Sequence, residues 1–167
     1  GVEMRKTSNR KNFQSLKEIK SWLGNCKRCR LCETRNQIVF GEGSSRAKVF
    51  FVGEGPGADE DAQGLPFIGR AGQLLTKIID SMGLTRESVY IANVVKCRPP
   101  KNRVPEEDEI KSCSVFLKAQ IELVKPDFIV ALGLTATRFL LDSSTQLSEV
   151  RGQFHNLAWN TQIQVLP

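Results

Sequence analysis

The run Gly53-Glu54-Gly55-Pro56-Gly57-Ala58-Asp59-Glu60-Asp61 follows directly on the apolar stretch Val49-Phe50-Phe51-Val52. A strand that ends in three glycines and a proline brings bare backbone close to something. Glycine permits close approach and positive φ, and proline fixes the turn. In an open α/β sheet, ligands bind beyond the carboxyl ends of the strands, so this turn is expected to floor a pocket.

The cysteines are the second source of chemistry. Cys26-Lys27-Arg28-Cys29-Arg30-Leu31-Cys32 holds three thiols in seven residues, and Cys97 and Cys113 lie far downstream. A CxxC pair can place two sulfurs on one metal or cluster. Spacing alone leaves zinc and iron–sulfur both open, since four cysteines suit either. A zinc ribbon repeats its CxxC, whereas the second pair here is 16 residues apart. Cys32 is surplus to a four-ligand set in which Cys26 and Cys29 form the first pair. Such a set would staple the N-terminal segment to the body of the chain. The bland alternative for each cysteine is a small buried hydrophobe.

These residues need a scaffold. Phe13, Leu16, Ile19, Trp22 and Leu23 are spaced for an amphipathic helix over 12–24 that stops at Gly24. Four apolar, β-rich runs follow, at Val49–Val52, Val89–Val95, Phe128–Leu132 and Ile163–Leu166. Helical patterns at Ala71–Met82, Glu106–Leu123 and Thr135–Leu141 separate them. Strands alternating with helices predict an α/β fold in three layers, a central four-stranded parallel sheet between helices. No internal repeat and no low-complexity linker interrupts the pattern. Residues 1–11 read as a disordered basic tail or an expression remnant, because Gly1-Val2-Glu3 before Met4 is an unusual start.

Composition narrows the function. The 167 residues are 40% hydrophobic, enough for one domain with a real core. There are 24 Lys and Arg against 18 Asp and Glu, for a net charge of +6 and a pI near 9.2. That excess suits a polyanionic partner. No stretch approaches the roughly 18 apolar residues of a membrane span, and the polar, basic N-terminus has no secretory signal core. The expectation is a cytoplasmic protein without membrane association, in which cysteines serve as metal ligands or reactive thiols rather than disulfides.

Five segments together resemble one family closely. They are the CxxC at Cys26–Cys29, Val39-Phe40-Gly41-Glu42-Gly43, Phe51-Val52-Gly53-Glu54-Gly55-Pro56-Gly57, Pro66-Phe67-Ile68-Gly69-Arg70-Ala71-Gly72, and Asn93-Val94-Val95-Lys96-Cys97-Arg98-Pro99-Pro100, the last followed by Asn102-Arg103 and Cys113. In order and spacing they resemble the family 4 uracil-DNA glycosylases, the iron–sulfur type of bacteria and archaea. The resemblance runs from about residue 20 to the end and implies a single glycosylase domain over 12–167. It implies a 4Fe-4S cluster whose ligands fall on Cys26, Cys29, Cys97 and Cys113. The implied partner is uracil-containing DNA, single- or double-stranded. A monomer is expected, with a replication or repair protein as a further partner.

Cleaving an N-glycosidic bond to uracil requires the base out of the helix, stacked, read at its edge and stabilised as a leaving anion. The resemblance makes Phe67 the stacking platform; the bland alternative is an ordinary core phenylalanine. Asn93 is polar within the apolar Tyr90–Val95 run. Its amide can accept from uracil N3–H and donate to O4; a structural asparagine closing the strand is the bland reading. Glu54, Gly55 and Pro56 are expected on the pocket floor, their backbone toward uracil O2 and the attacking water. Where the family 1 enzymes carry an Asp, this chain has Gly55. The implied mechanism therefore leans on leaving-group stabilisation through an oxocarbenium-like state, supported by Glu54. Glu54, Gly55 and Asn93 form the implied catalytic set. Glu60 is expected to block the thymine methyl; otherwise Asp59, Glu60 and Asp61 are only the solvated acidic start of a helix. Arg70, Lys96, Arg98, Lys101 and Arg103 are expected to face DNA, with Gly69–Gly72 before a helix as a phosphate clasp.

One family motif is absent. A His-Pro-Ala segment should follow a strand such as Ile163–Leu166, and the sequence given ends at Pro167. The lone histidine, His155, matches an upstream Arg-Gly stretch instead and reads as a surface residue before a loop. The expectation is a C-terminal part missing from this sequence. The alternative is a catalytically impaired nucleic-acid-binding domain of the same fold. A zinc-stabilised nucleotide-binding protein is a third reading, allowed by the glycine turn alone.

Overall fold

The computed structural model describes residues 13–144 and 146–167; the reading of residues 1–11 as a tail lies outside them. Six strands form one sheet in the order β1-β3-β2-β4-β6-β5. They are β1 (Glu42–Gly43), β2 (Val49–Gly53), β3 (Tyr90–Asn93), β4 (Phe128–Ala131), β5 (His155–Leu157) and β6 (Asn160–Leu166). The helices are α1 (Leu16–Leu23), α2 (Ala58–Gln63), α3 (Arg70–Ser81), α4 (Glu107–Val124), α5 (Leu134–Leu141) and α6 (Leu147–Val150).

The four expected strands are the central four, β3-β2-β4-β6, and each neighbouring pair is parallel. Two edge strands exceed the expectation. β1 pairs antiparallel with β3, and β5 pairs antiparallel with β6. Both are two or three residues long and carry no apolar run, so hydrophobic patterning gave no sign of them. His155 is correspondingly a half-buried residue opening an edge strand rather than a surface residue before a loop, and its Nε2 lies 3.0 Å from the Val150 carbonyl.

Alternation along the strands separates two cores and makes the three layers. Phe50, Val52, Tyr90, Ala92, Ile129 and Ala131 pack with Ile19, Phe116, Ile121 and Leu140 from α1, α4 and α5. The intervening residues Phe51 and Ile91 pack on the opposite face with Leu75 and Ile79 of α3. Side chains of successive strand residues point to opposite faces, so each strand contributes to both.

Helix α1 begins at Ser15, whose hydroxyl accepts from the Glu18 amide at 3.2 Å. Trp22 of α1 meets Phe116 of α4 with ring centroids 4.7 Å apart, which seats the N-terminal segment on the domain. The chain runs from β2 to β3 on one side of β2, then through α4 to β4 on the other. The strand order thus changes direction at β2, where an open sheet forms its crevice.

Candidate active site

Gly53 and Asn93, the last residues of β2 and β3, are register partners in the parallel ladder. The irregular pairing continues beyond them, with the Val94 amide on the Gly53 carbonyl at 2.9 Å and the Val95 amide on the Glu54 carbonyl at 3.2 Å. A cavity of about 250 Å³ opens here. Glu54, Gly55, Pro56, Glu60, Phe67 and Asn93, the six residues expected around a flipped base, all line it. Asn102 and Arg103 form part of its rim.

The Asn93 side chain is fully buried, and neither its Oδ1 nor its Nδ2 has a hydrogen-bond partner. A buried amide left unpaired costs about 1–3 kcal/mol. Asn93 lines the cavity beside Phe67. A side chain at Gly53 would collide with the Phe67 ring and come within 2.5 Å of Asn93 Oδ1. Glycine there lets the ring and the amide approach one another. At Gly55 a Cβ would meet Val95 Cγ2 at 2.7 Å, so a side chain on this floor position would force that methyl to shift.

Glu54 is held in place by Thr135, whose hydroxyl donates to Glu54 Oε2 at 2.6 Å. Thr135 follows the carboxyl end of β4 and was not foreseen. The rule that sites gather at strand ends was the available signal. Glu60 does more than start a helix. Its Oε1 accepts from the Gly57 amide at 3.0 Å, and its Oε2 accepts from the amides of Ile68 at 3.0 Å and Gly69 at 2.9 Å. Burial alone would raise its pKa, but the amides of Gly69, Ile68 and Gly57 outweigh that and hold it below the usual carboxylate range. Asp61 corrects the picture of a solvated acidic start: it is buried and accepts from the Asn36 amide, the Asn36 side chain and the Gln37 amide.

Two expectations about cations and phosphate are corrected. Lys96 is completely buried, with Nζ donating to the Asn93 carbonyl at 2.9 Å and to Gln120 Oε1 at 2.7 Å, so it cannot face DNA. Burial pushes its ammonium down to about 7, against the pull of Cys113 and Cys97. The proposed clasp at Gly69–Gly72 is already partly filled, since the Gly69 amide serves Glu60. Arg103 commits both terminal guanidinium nitrogens to Glu109, at 2.8 Å each. Arg70 and Lys101 are exposed, and Arg98 is half-buried with Nε donating to Asn102 Oδ1 at 2.7 Å.

On another side of β3, Cys26, Cys29, Cys97 and Cys113 line one small cavity, and Cys32 does not. Each of three thiols faces a donor: Arg28 Nη1 on Cys26 at 3.3 Å, Arg35 Nη1 on Cys97 at 3.3 Å, and the Lys96 amide on Cys113 at 3.1 Å. Burial raises the thiols of Cys29 and Cys97 and pushes Cys113 up to about 12. Among the described residues, no three Cys, His, Asp or Glu side chains converge as a single metal ion requires.

A family profile described as the Uracil DNA glycosylase superfamily matches residues 40–167. The chain belongs to that superfamily. Among its curated relatives are the type-4 uracil-DNA glycosylases of Sulfurisphaera tokodaii, 46% identical over 146 residues (84% of this chain and 66% of the relative), and Thermotoga maritima, 52% identical over 128 residues (76% and 67%). That of Archaeoglobus fulgidus is 41% identical over 159 residues, covering 92% of this chain and 80% of the relative. The chain spans about two thirds of the length of the first two. No described helix is long and apolar enough to cross a membrane.

Proposed function

We propose that this chain carries the uracil pocket of a DNA repair glycosylase that flips uracil out of DNA and hydrolyses its N-glycosidic bond, the first step of base excision repair. The observation that carries the reading is the Asn93 amide, buried and unpartnered beside Phe67 at the strand ends. Uracil supplies what that amide lacks: N3–H for Oδ1 and O4 for Nδ2. Cytosine presents the reversed pattern at the same edge and would leave both atoms opposed. Phe67 offers the face on which the base stacks, worth about 1–3 kcal/mol.

The bond from C1′ to the base nitrogen breaks with its electron pair leaving on uracil. Water then adds to the sugar cation and its surplus proton neutralises the departed uracil anion, with no carboxylate at position 55 to activate the water. Glu54, fixed by Thr135, is the negative charge placed to support that cation. Glu60 is the residue assigned to exclude the thymine methyl. Arg70, Arg98 and Lys101 are the cations assigned to the DNA backbone.

Cys26, Cys29, Cys97 and Cys113 fit a 4Fe-4S cluster. The four sulfurs line one cavity, and N–H groups directed at sulfur are a common feature of cluster ligands. The cluster would supply structure, joining the segment after α1 to β3 and α4. The glycosylases among the relatives do not favour the alternative of an impaired binding domain. A gel assay on an oligonucleotide with a single uracil tests the proposal. An alkali-labile abasic site is expected; an intact strand from the full-length protein, with DNA binding indifferent to Asn93→Ala, overturns it.

A further inference from the structure

We propose that Arg86 is the positioning residue for Phe67, an assignment that rests on reading Phe67 as the base platform. Phe67 has φ of +50°, the left-handed region that a bulky side chain enters only under constraint. Arg86 supplies that constraint from outside the cavity. Its Nη1 donates to the Phe67 carbonyl at 2.9 Å and to Thr76 Oγ1 at 3.2 Å. Its Nη2 donates to the Pro66 carbonyl and to Glu42 Oε1, both at 2.9 Å. One planar fork therefore grips two successive carbonyls of the turn.

Glu42 belongs to the Val39–Gly43 motif, to which no chemistry had been assigned. It balances the guanidinium and fixes its plane. On the other side of Phe67, Glu60 holds the next two amides. Gly72 of α3 completes the seat, because a Cβ there would run into the Phe67 backbone. A lysine at 86 keeps the charge and loses the fork, since a compact ammonium cannot serve the two carbonyls and the carboxylate in one plane.

The test is a double-mutant cycle on the intact protein, with Arg86→Lys, Phe67→Ala and both together, assayed on a single-uracil oligonucleotide. Hydrogen exchange of the amides in 65–69, those of Leu65, Phe67, Ile68 and Gly69, is measured alongside. Arg86→Lys alone is expected to lower kcat/KM by about 5- to 150-fold, the range of one lost base stack. The double variant is expected to match Phe67→Ala within about twofold, because Arg86 acts through the ring that is gone. Exchange at 65–69 should accelerate while the amides of β2 and β3 keep their rates. Glu42→Gln should move both readouts in the same direction by less. A cost of Arg86→Lys that persists in full beside Phe67→Ala, or acceleration across the whole protein, overturns the assignment. If the parent protein leaves uracil in place, the glycosylase reading fails, and exchange alone decides: unchanged rates at 65–69 in Arg86→Lys then overturn the clamp.

Discussion

The Lys96 ammonium reaches back 2.9 Å to the main-chain carbonyl of Asn93, so one buried residue links the cysteine cavity to the strand end beneath the base pocket. Lys96 lines the first and braces the strand end that carries the second. Its position separates two kinds of basic residue that look alike in the sequence. Replacing Lys101 or Arg98 by Ala is expected to reduce the slope of log affinity for DNA against log salt by about one each, the signature of a lost phosphate contact. Lys96→Met should leave that slope unchanged. It should instead lower the urea midpoint, because the Asn93 carbonyl and Gln120 Oε1 lose their shared donor. Filter binding across a salt series and urea titration of the same variants check both halves.

The acid limb of stability should be set by Glu109 and Glu60. The Arg103 hydrogen bonds lower the Glu109 pKa; burial opposes them, and the Glu106 amide adds to them. Glu60 is likewise held below its ordinary value. A carboxylate with a depressed folded pKa binds fewer protons folded than unfolded. Its stabilisation is complete above the unfolded value of 4.5 and is lost as pH falls through the folded value. Wild type should therefore lose stability steeply below about pH 4.5. In Glu109→Gln the stability at neutral pH should drop and the acid slope should flatten. Urea midpoints between about pH 6 and 3 read this directly.

What could be read from the sequence follows the range of the forces involved. The central strands and the helices α1, α3, α4 and α5 were legible because burial imprints a period on nearby residues, as in Phe50, Phe51 and Val52 or Ile19 and Leu23; the short α6 carries no such period. The pocket floor was legible because close approach demands glycine at 53 and 55. Asn93 stood out as an amide inside an apolar run. Pairings between distant polar residues leave no such imprint. Arg86 sits 19 positions from Phe67 and 44 from Glu42, and Arg103 differs in no local feature from Lys101. The burial of Lys96 was hidden for the same reason: its partner Gln120 lies 24 residues away on α4.

The cysteine assignment predicts an asymmetry within one short segment. Cys113→Ser should abolish the broad visible absorption of an iron–sulfur protein and lower the thermal midpoint. Cys32→Ser, three residues from Cys29 but outside the cavity, should change neither. The α1–α4 packing of Trp22 on Phe116 persists in both variants, so Cys113→Ser is expected to remain folded at low temperature. Absorption spectra, iron content and thermal melts of the two variants decide the matter. Equal loss of colour from both would remove Cys32 from its spare role.

Asn93→Ala sets function against stability. A residue kept for folding lowers the melting temperature when truncated. The Asn93 side chain makes no hydrogen bond to another protein group, so truncating it removes none, and only the small cavity left behind counts against the fold. The thermal midpoint should accordingly change little. Uracil excision should fall by about 10²-fold, as expected when donors preorganised toward a reacting group are lost. The discrimination against cytosine should narrow as well, since no amide remains to oppose its reversed edge. A lowered midpoint with unchanged excision would return Asn93 to a purely structural role; the opposite pair of results ties the orphaned amide to the base it reads.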